Sequence, residues 1–163
     1  MATTYEIISK SILGSSAASI TFSSIPSTYT DLLIDVSSRN TAVDTENTFS
    51  FNGSGANFSI RRLYGNGTTT GSDTLYGYSL TTTSGFTANT FSNNSIYIPN
   101  YLSSNFKSIS IDGVAENNAT ASAQVLSAAL WSNTAAITSI TLQPTSGSYA
   151  TGSSFYLYGI KNS

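Results

Sequence analysis

The chain has no cysteine and no histidine, which removes disulfides, thiolate and imidazole metal centres, cysteine nucleophiles and histidine general bases together. Carboxylates are the groups left for chemistry. Charge is scarce as well: six Lys and Arg stand against eight Asp and Glu, 9% of 163 residues, where a globular chain carries about a quarter. A formal net charge of −2 offers no basic footprint, so neither nucleic acid nor an anionic membrane surface is expected as a partner. Met1 to Ile12 holds no basic segment followed by a long apolar stretch, and no uncharged apolar run approaches the ~18 residues of a membrane span. A soluble protein is predicted.

What is present is hydroxyl, amide and aromatic. Ser, Thr and Asn make up about two fifths of the chain, so its surface is largely neutral and polar. Aromatics reach 12%, with ten Tyr and eight Phe, which argues against disorder and for a pleated, half-buried surface. Apolar residues recur at every second position: Ile20 and Phe22; Leu32, Ile34 and Val36; Phe49 and Phe51; Ile96 and Ile98; Ile109 and Ile111; Ile140 and Leu142; Phe155 and Leu157. Turn formers such as Asn52-Gly53, Gly65-Asn66-Gly67, Pro99-Asn100 and Asp112-Gly113 punctuate these runs. The pattern predicts strands near 4–12, 17–24, 31–39, 46–52, 57–64, 73–80, 91–98, 106–115, 122–131, 136–143 and 153–161. Thr120 to Trp131 is the one stretch with helix-forming composition, but the turn at Ser132-Asn133-Thr134 and the strand after it favour a hairpin. The fold class is all-β: one antiparallel domain over 1–163, a sandwich or a barrel of about ten short strands, with residues 1–10 a candidate N-terminal arm.

The acidic clusters are Asp31 with Asp35 and Asp44 with Glu46. Asp31 and Asp35 alternate away from Leu32, Ile34 and Val36, which predicts solvated surface charge. A paired-acid glycosidase would need Asp44 and Glu46 to flank a bond, and a Ca²⁺ site would need more oxygens than this loop offers. No metal or cofactor is expected, and no enzyme. Arg61 and Arg62 form the only basic doublet. Alternation sends one guanidinium with Phe58, Ile60 and Tyr64 and the other with Ser59 and Leu63; the inward one requires a carboxylate or several carbonyls, because an unpaired buried charge is very costly. Tyr76-Gly77-Tyr78 places two aromatics at a candidate interface, and Arg61, Arg62, Tyr76 and Tyr78 are the interface candidates. The Asn-x-Ser/Thr sequons at Asn52, Asn57, Asn66, Asn93 and Asn118 follow from composition. Gly65-Asn66-Gly67 lacks the lysine and helix of a phosphate loop and reads as a turn.

Three stretches carry a resemblance. They are Ser11-Ile12-Leu13-Gly14-Ser15 running into Ser19 to Pro26 and Tyr29-Thr30-Asp31-Leu32; Phe51-Asn52-Gly53 followed by Arg61 to Gly67; and Leu130 to Leu142, closing with Phe155 to Lys161. Together they resemble virion structural proteins of tailed bacteriophages, especially those of marine and cyanobacterial phages. The resemblance implies a jelly-roll sandwich, commonly a homotrimer. Such a protein binds the outer surface of the major capsid protein as a decoration or cement protein; alternatively, it serves as a receptor- or host-glycan-binding module of the tail or fibre. It brings no catalytic residues.

Overall fold

Period-two alternation becomes twelve strands: β1 (Tyr5–Ile12), β2 (Ile20–Phe22), β3 (Asp31–Ser37), β4 (Glu46–Phe51), β5 (Phe58–Gly65), β6 (Thr70–Asp73), β7 (Ser79–Leu80), β8 (Asn93–Ile98), β9 (Lys107–Ala115), β10 (Ala123–Trp131), β11 (Ile140–Pro144) and β12 (Ser154–Ile160). The structure, a computed structural model, describes residues 4–74, 77–117 and 122–161. Among these there is no helix. The ambiguous Ala- and Leu-rich stretch is β10, with Val125, Ser127, Ala129 and Trp131 turned in and Gln124, Leu126 and Ala128 turned out. Pairing with β9 on one side and β5 on the other satisfies its backbone along its length, which outweighs a modest helix propensity.

All the ladders are antiparallel and form two sheets. The larger runs β1-β12-β3-β8-β9-β10-β5-β6 and the smaller β2-β11-β4-β7. This is a β-sandwich whose core lies between the inner faces. Leu32, Ile98, Trp131 and Phe155 from the large sheet meet Phe51 and Ile140 from the small one. Aromatic edges organise the centre: Phe51 meets Trp131 at 5.2 Å in a T-shaped contact, and Phe49 lies 4.3 Å from Tyr78. At one end Lys107 is buried, its Nζ donating to the carbonyls of Ser103 and Ala135 at 2.7 Å and lying 5.4 Å from the centre of the Trp131 ring. The lysine thereby ties two loops to the start of β9.

Three expectations change. The strand expected over 73–80 is not continuous: Asp73 ends β6 in the large sheet, Ser79–Leu80 form β7 in the small one, and residues 75–76 lie outside the described residues. The chain crosses there because Asp73 is held by Arg62 of β5 while Asn47 of β4 takes up the Tyr78 amide. The N-terminal arm expected over 1–10 is ladder from Tyr5 onward, since β1 pairs with β12 from Tyr5↔Ile160 to Ile12↔Ser154. A bulge between Ile7 and Ser9, with Lys10 beyond it, guards this edge. Asp31 is buried rather than solvated: it accepts the Tyr97 hydroxyl and the Asn100 amide, each at 2.8 Å. Position 31 ends an interior strand, where the neighbouring β8 and the loop after it close over the side chain. Asp35 stays on the outer face, partly exposed.

Several tyrosines are held protonated. Burial raises the Tyr149 and Tyr101 hydroxyls above the usual 10.0, and hydrogen bonds to Asp31 and Glu6 raise Tyr97 and Tyr29. A group whose folded pKa is raised contributes stability that is complete below its unfolded value and is lost above it. Lys107 opposes this, because burial lowers its pKa from 10.5 and its penalty is relieved as pH rises. Four raised hydroxyls outnumber one lowered ammonium. Thermal midpoints measured from about pH 8 to about pH 11 are expected to hold level and then fall once pH passes the tyrosine range, with phenolate absorbance developing late.

Candidate functional site

The doublet Arg61-Arg62 is divided between the two faces of β5. Arg62 points inward with Ile60 and is 5% exposed; Arg61 points outward with Leu63. The inward guanidinium has the carboxylates it requires. Nε and Nη2 donate to the two oxygens of Asp73 at 2.8 and 3.1 Å, and Nη1 donates to both oxygens of Glu46 at 2.8 and 2.7 Å and to the Gly77 carbonyl at 3.1 Å. Burial works against the guanidinium charge, but the hydrogen bonds it donates to Asp73 and Glu46 outweigh it and hold the group more firmly protonated than a free arginine. Gly77 is required at this point: a Cβ there would lie 1.6 Å from Glu46 Oε2. The arrangement links β5 and β6 of the large sheet to β4 of the small one.

Arg62 is therefore an internal fastener and not a side chain available at a surface. Tyr78 is likewise removed from the set of interface candidates: it is 1% exposed and packs between Phe49 and Phe58. A single tyrosine next to a glycine carries no signal of its burial; Tyr78 immediately precedes β7, which pairs with β4 in the small sheet. Tyr76 lies outside the described residues. Among the described candidates Arg61 alone is exposed, its Nη1 donating to the carbonyl of Ile60 at 2.8 Å.

The acids offered by the sequence as a reactive pair are taken up separately. Glu46 is engaged by Arg62, and Asp44 Oδ1 accepts the Glu46 amide at 3.1 Å. The sequons at Asn52 and Asn66 are turn-building residues: Asn52 Oδ1 accepts the Thr138 and Ser139 amides, and Asn66 Oδ1 those of Thr68 and Thr69.

The feature the sequence reading did not assemble is the outer face of the eight-stranded sheet. Register puts Tyr158, Leu33, Tyr97, Ser110, Ala128 and Arg61 in one cross-strand row. The adjacent row runs Tyr156, Asp35, Ser95, Asp112, Leu126 and Leu63. Leu63 is 62% exposed, Leu126 51% and Val114 39%, and a shallow depression over Arg61, Leu63, Asp112, Leu126 and Ala128 opens at their centre. Alternation divides each strand into two faces, but only the ladder registers show which face is outward and bring strands distant in sequence into one surface. No protein-family model, curated protein or solved structure matches this chain.

Replacing Arg62 with Met leaves Glu46 and Asp73 without their counter-charge, and a broken buried pair costs about 3–5 kcal/mol. Denaturant unfolding of Arg62→Met is expected to show that loss, with Arg62→Lys intermediate because it keeps the charge without the bidentate fork. Arg61→Met should lie within about 0.5 kcal/mol of the parent, as expected of an exposed side chain.

Proposed function

We propose that this protein is a non-catalytic structural subunit of a tailed-phage particle, a decoration or cement protein on the outer surface of the major capsid protein. The observation that carries the reading is the uncovered face of the eight-stranded sheet, a wide surface of leucine, tyrosine, serine and few charges. Adhesion needs such an area and no reactive group. Repeated copies on a symmetric shell turn a modest contact into firm attachment, and neutral hydrogen-bonding groups make that contact weakly dependent on salt.

The strand order supports the jelly-roll architecture that the resemblance implies. With β5, β6, β9 and β10 set aside, the other eight strands are ordered β1-β12-β3-β8 in one sheet and β2-β11-β4-β7 in the other, the two interleaved sets of a jelly roll. The remaining four, β9, β10, β5 and β6, extend the large sheet past β8. The resemblance implies a homotrimer, and the capsid exterior is the place assigned in this proposal.

A second reading, a receptor- or glycan-binding module of the tail, is favoured by the aromatic end of the same face. Tyr156 and Tyr158 lie with ring planes 19° apart and centres 6.4 Å apart, on the same side of the sheet as Tyr97. Density for the protein in a particle map distinguishes the two, over the head for the first and at the tail for the second. Particles with and without the protein, challenged by heat or osmotic shock, are expected to differ in surviving titre; equal survival would count against the cement role.

A further inference from the structure

We infer that the extension strands β9, β10 and β5 form a self-complementary surface whose occupant is a second copy of this chain, packed face to face about a two-fold axis. On the outer face Leu126 of β10 stands opposite Asp112 of β9 and Leu63 of β5, and Ala128 stands opposite Ser110 and Arg61. Asp112 and Arg61 thus lie diagonally on either side of β10, one residue pair out of step. Ordinary strand spacing and rise put their Cα atoms roughly 12 Å apart, with the midpoint between Leu126 and Ala128.

A two-fold axis lying in the plane of contact, passing through that midpoint and perpendicular to the line between Arg61 and Asp112, exchanges the two positions. Each Arg61 then meets the Asp112 of the partner copy, and the ion pair occurs twice, as isologous contact requires. Leu126, Leu63 and Ala128 fill the centre between the paired charges, an apolar middle with a polar rim. Within one copy the charges are not satisfied by each other: Arg61 reaches the carbonyl of Ile60, and neither it nor Asp112 forms an ion pair among the described residues.

Centred on β10, the contact spans β8, β9, β10, β5 and β6. Five strands spaced about 4.8 Å, averaging about seven residues rising about 3.3 Å each, give roughly 24 by 24 Å, the low end of specific interfaces at about 600 Å² per partner. The edges are poorer candidates for pairing, because β1 is bulged and β6 has four residues. The pairing takes the outer face from β8 to β6, so a particle contact falls to the β1-β12-β3 part of the same sheet.

The test is a charge exchange read by sedimentation equilibrium. The parent chain is expected to reach a two-copy mass. Arg61→Asp alone sets two like charges against each other at both ends of the contact, as does Asp112→Arg alone. Each should weaken association by roughly tenfold or more, while the double exchange should recover most of it. Leu126→Lys, at the centre, should abolish pairing while circular dichroism stays that of the parent. A parent that remains one copy at all concentrations, a parent of three-copy mass, or single reversals that leave association unchanged would each overturn the inference. Attachment of the monomeric Arg61→Asp chain to particles would leave the decoration role standing, and a paired protein that gives no protection to particles would remove that role and leave the pairing.

Discussion

Arg62, clasped between Glu46 and Asp73, is the contact on which the rest of this molecule turns. A strand can be threaded with either of two faces inward, and a slip of one residue reverses every side chain it carries. On β5 the choice lies between Arg61 and Arg62, and only Arg62 finds two carboxylates and a carbonyl. That choice sends Ile60 to the core and Arg61 with Leu63 to the outside. Through the β5–β10 and β10–β9 ladders, it also fits the facing of Leu126 and Asp112. The same contact marks where the chain leaves the large sheet after β6 and enters the small one at β7. One buried arginine with its two carboxylates thus serves register and topology; its worth lies in the cost of every arrangement that would leave a charge alone.

The abundance of hydroxyl and amide side chains has a structural use beyond solubility. Ser38, Thr81 and Ser92 bond to one another in the interior, with Ser38 Oγ 3.1 Å from both Thr81 Oγ1 and Ser92 Oγ. Asn94 serves both backbone groups of Leu80, accepting its amide at 2.8 Å and donating to its carbonyl at 2.7 Å. Gly113 lies beside this amide, where a Cβ would come within 2.7 Å of Asn94 Oδ1. The Asp112-Gly113 pair, which has the look of a turn, is therefore the middle of β9, its glycine explained by close approach rather than by curvature. Arg39 reaches the carbonyls of Phe86, Thr87 and Thr90 at 3.0 to 3.1 Å and holds the loop before β8. Neutral groups satisfy buried backbone without the desolvation cost that charges would bring.

Most strands were legible because a half-buried ladder leaves a period-two trace, and in the helix-like Thr120 to Trp131 stretch the turn that follows was the signal for a strand, whereas its inward face came only with the ladders on either side. The doublet at 61–62 was legible to the point of requiring a carboxylate partner for the inward arginine. Asp31 and Tyr78 were not. Alternation places Asp31 opposite the apolar row, which is correct, yet burial of that face at the strand end depends on Tyr97 and Asn100, more than sixty residues away in sequence. Tyr78 follows a glycine and precedes a strand of two residues, too short to show a period.

By itself the sequence determined an all-β chain of short strands with neutral polar turns, because alternation and turn chemistry are local properties. It also excluded thiol and imidazole chemistry outright. Tertiary structure alone decided which strands neighbour one another, which carboxylates close on Arg62, and how Arg61, Leu126 and Asp112 come to share a surface. Strand order is set by packing and loop closure between distant segments, and no local pattern of residues encodes it.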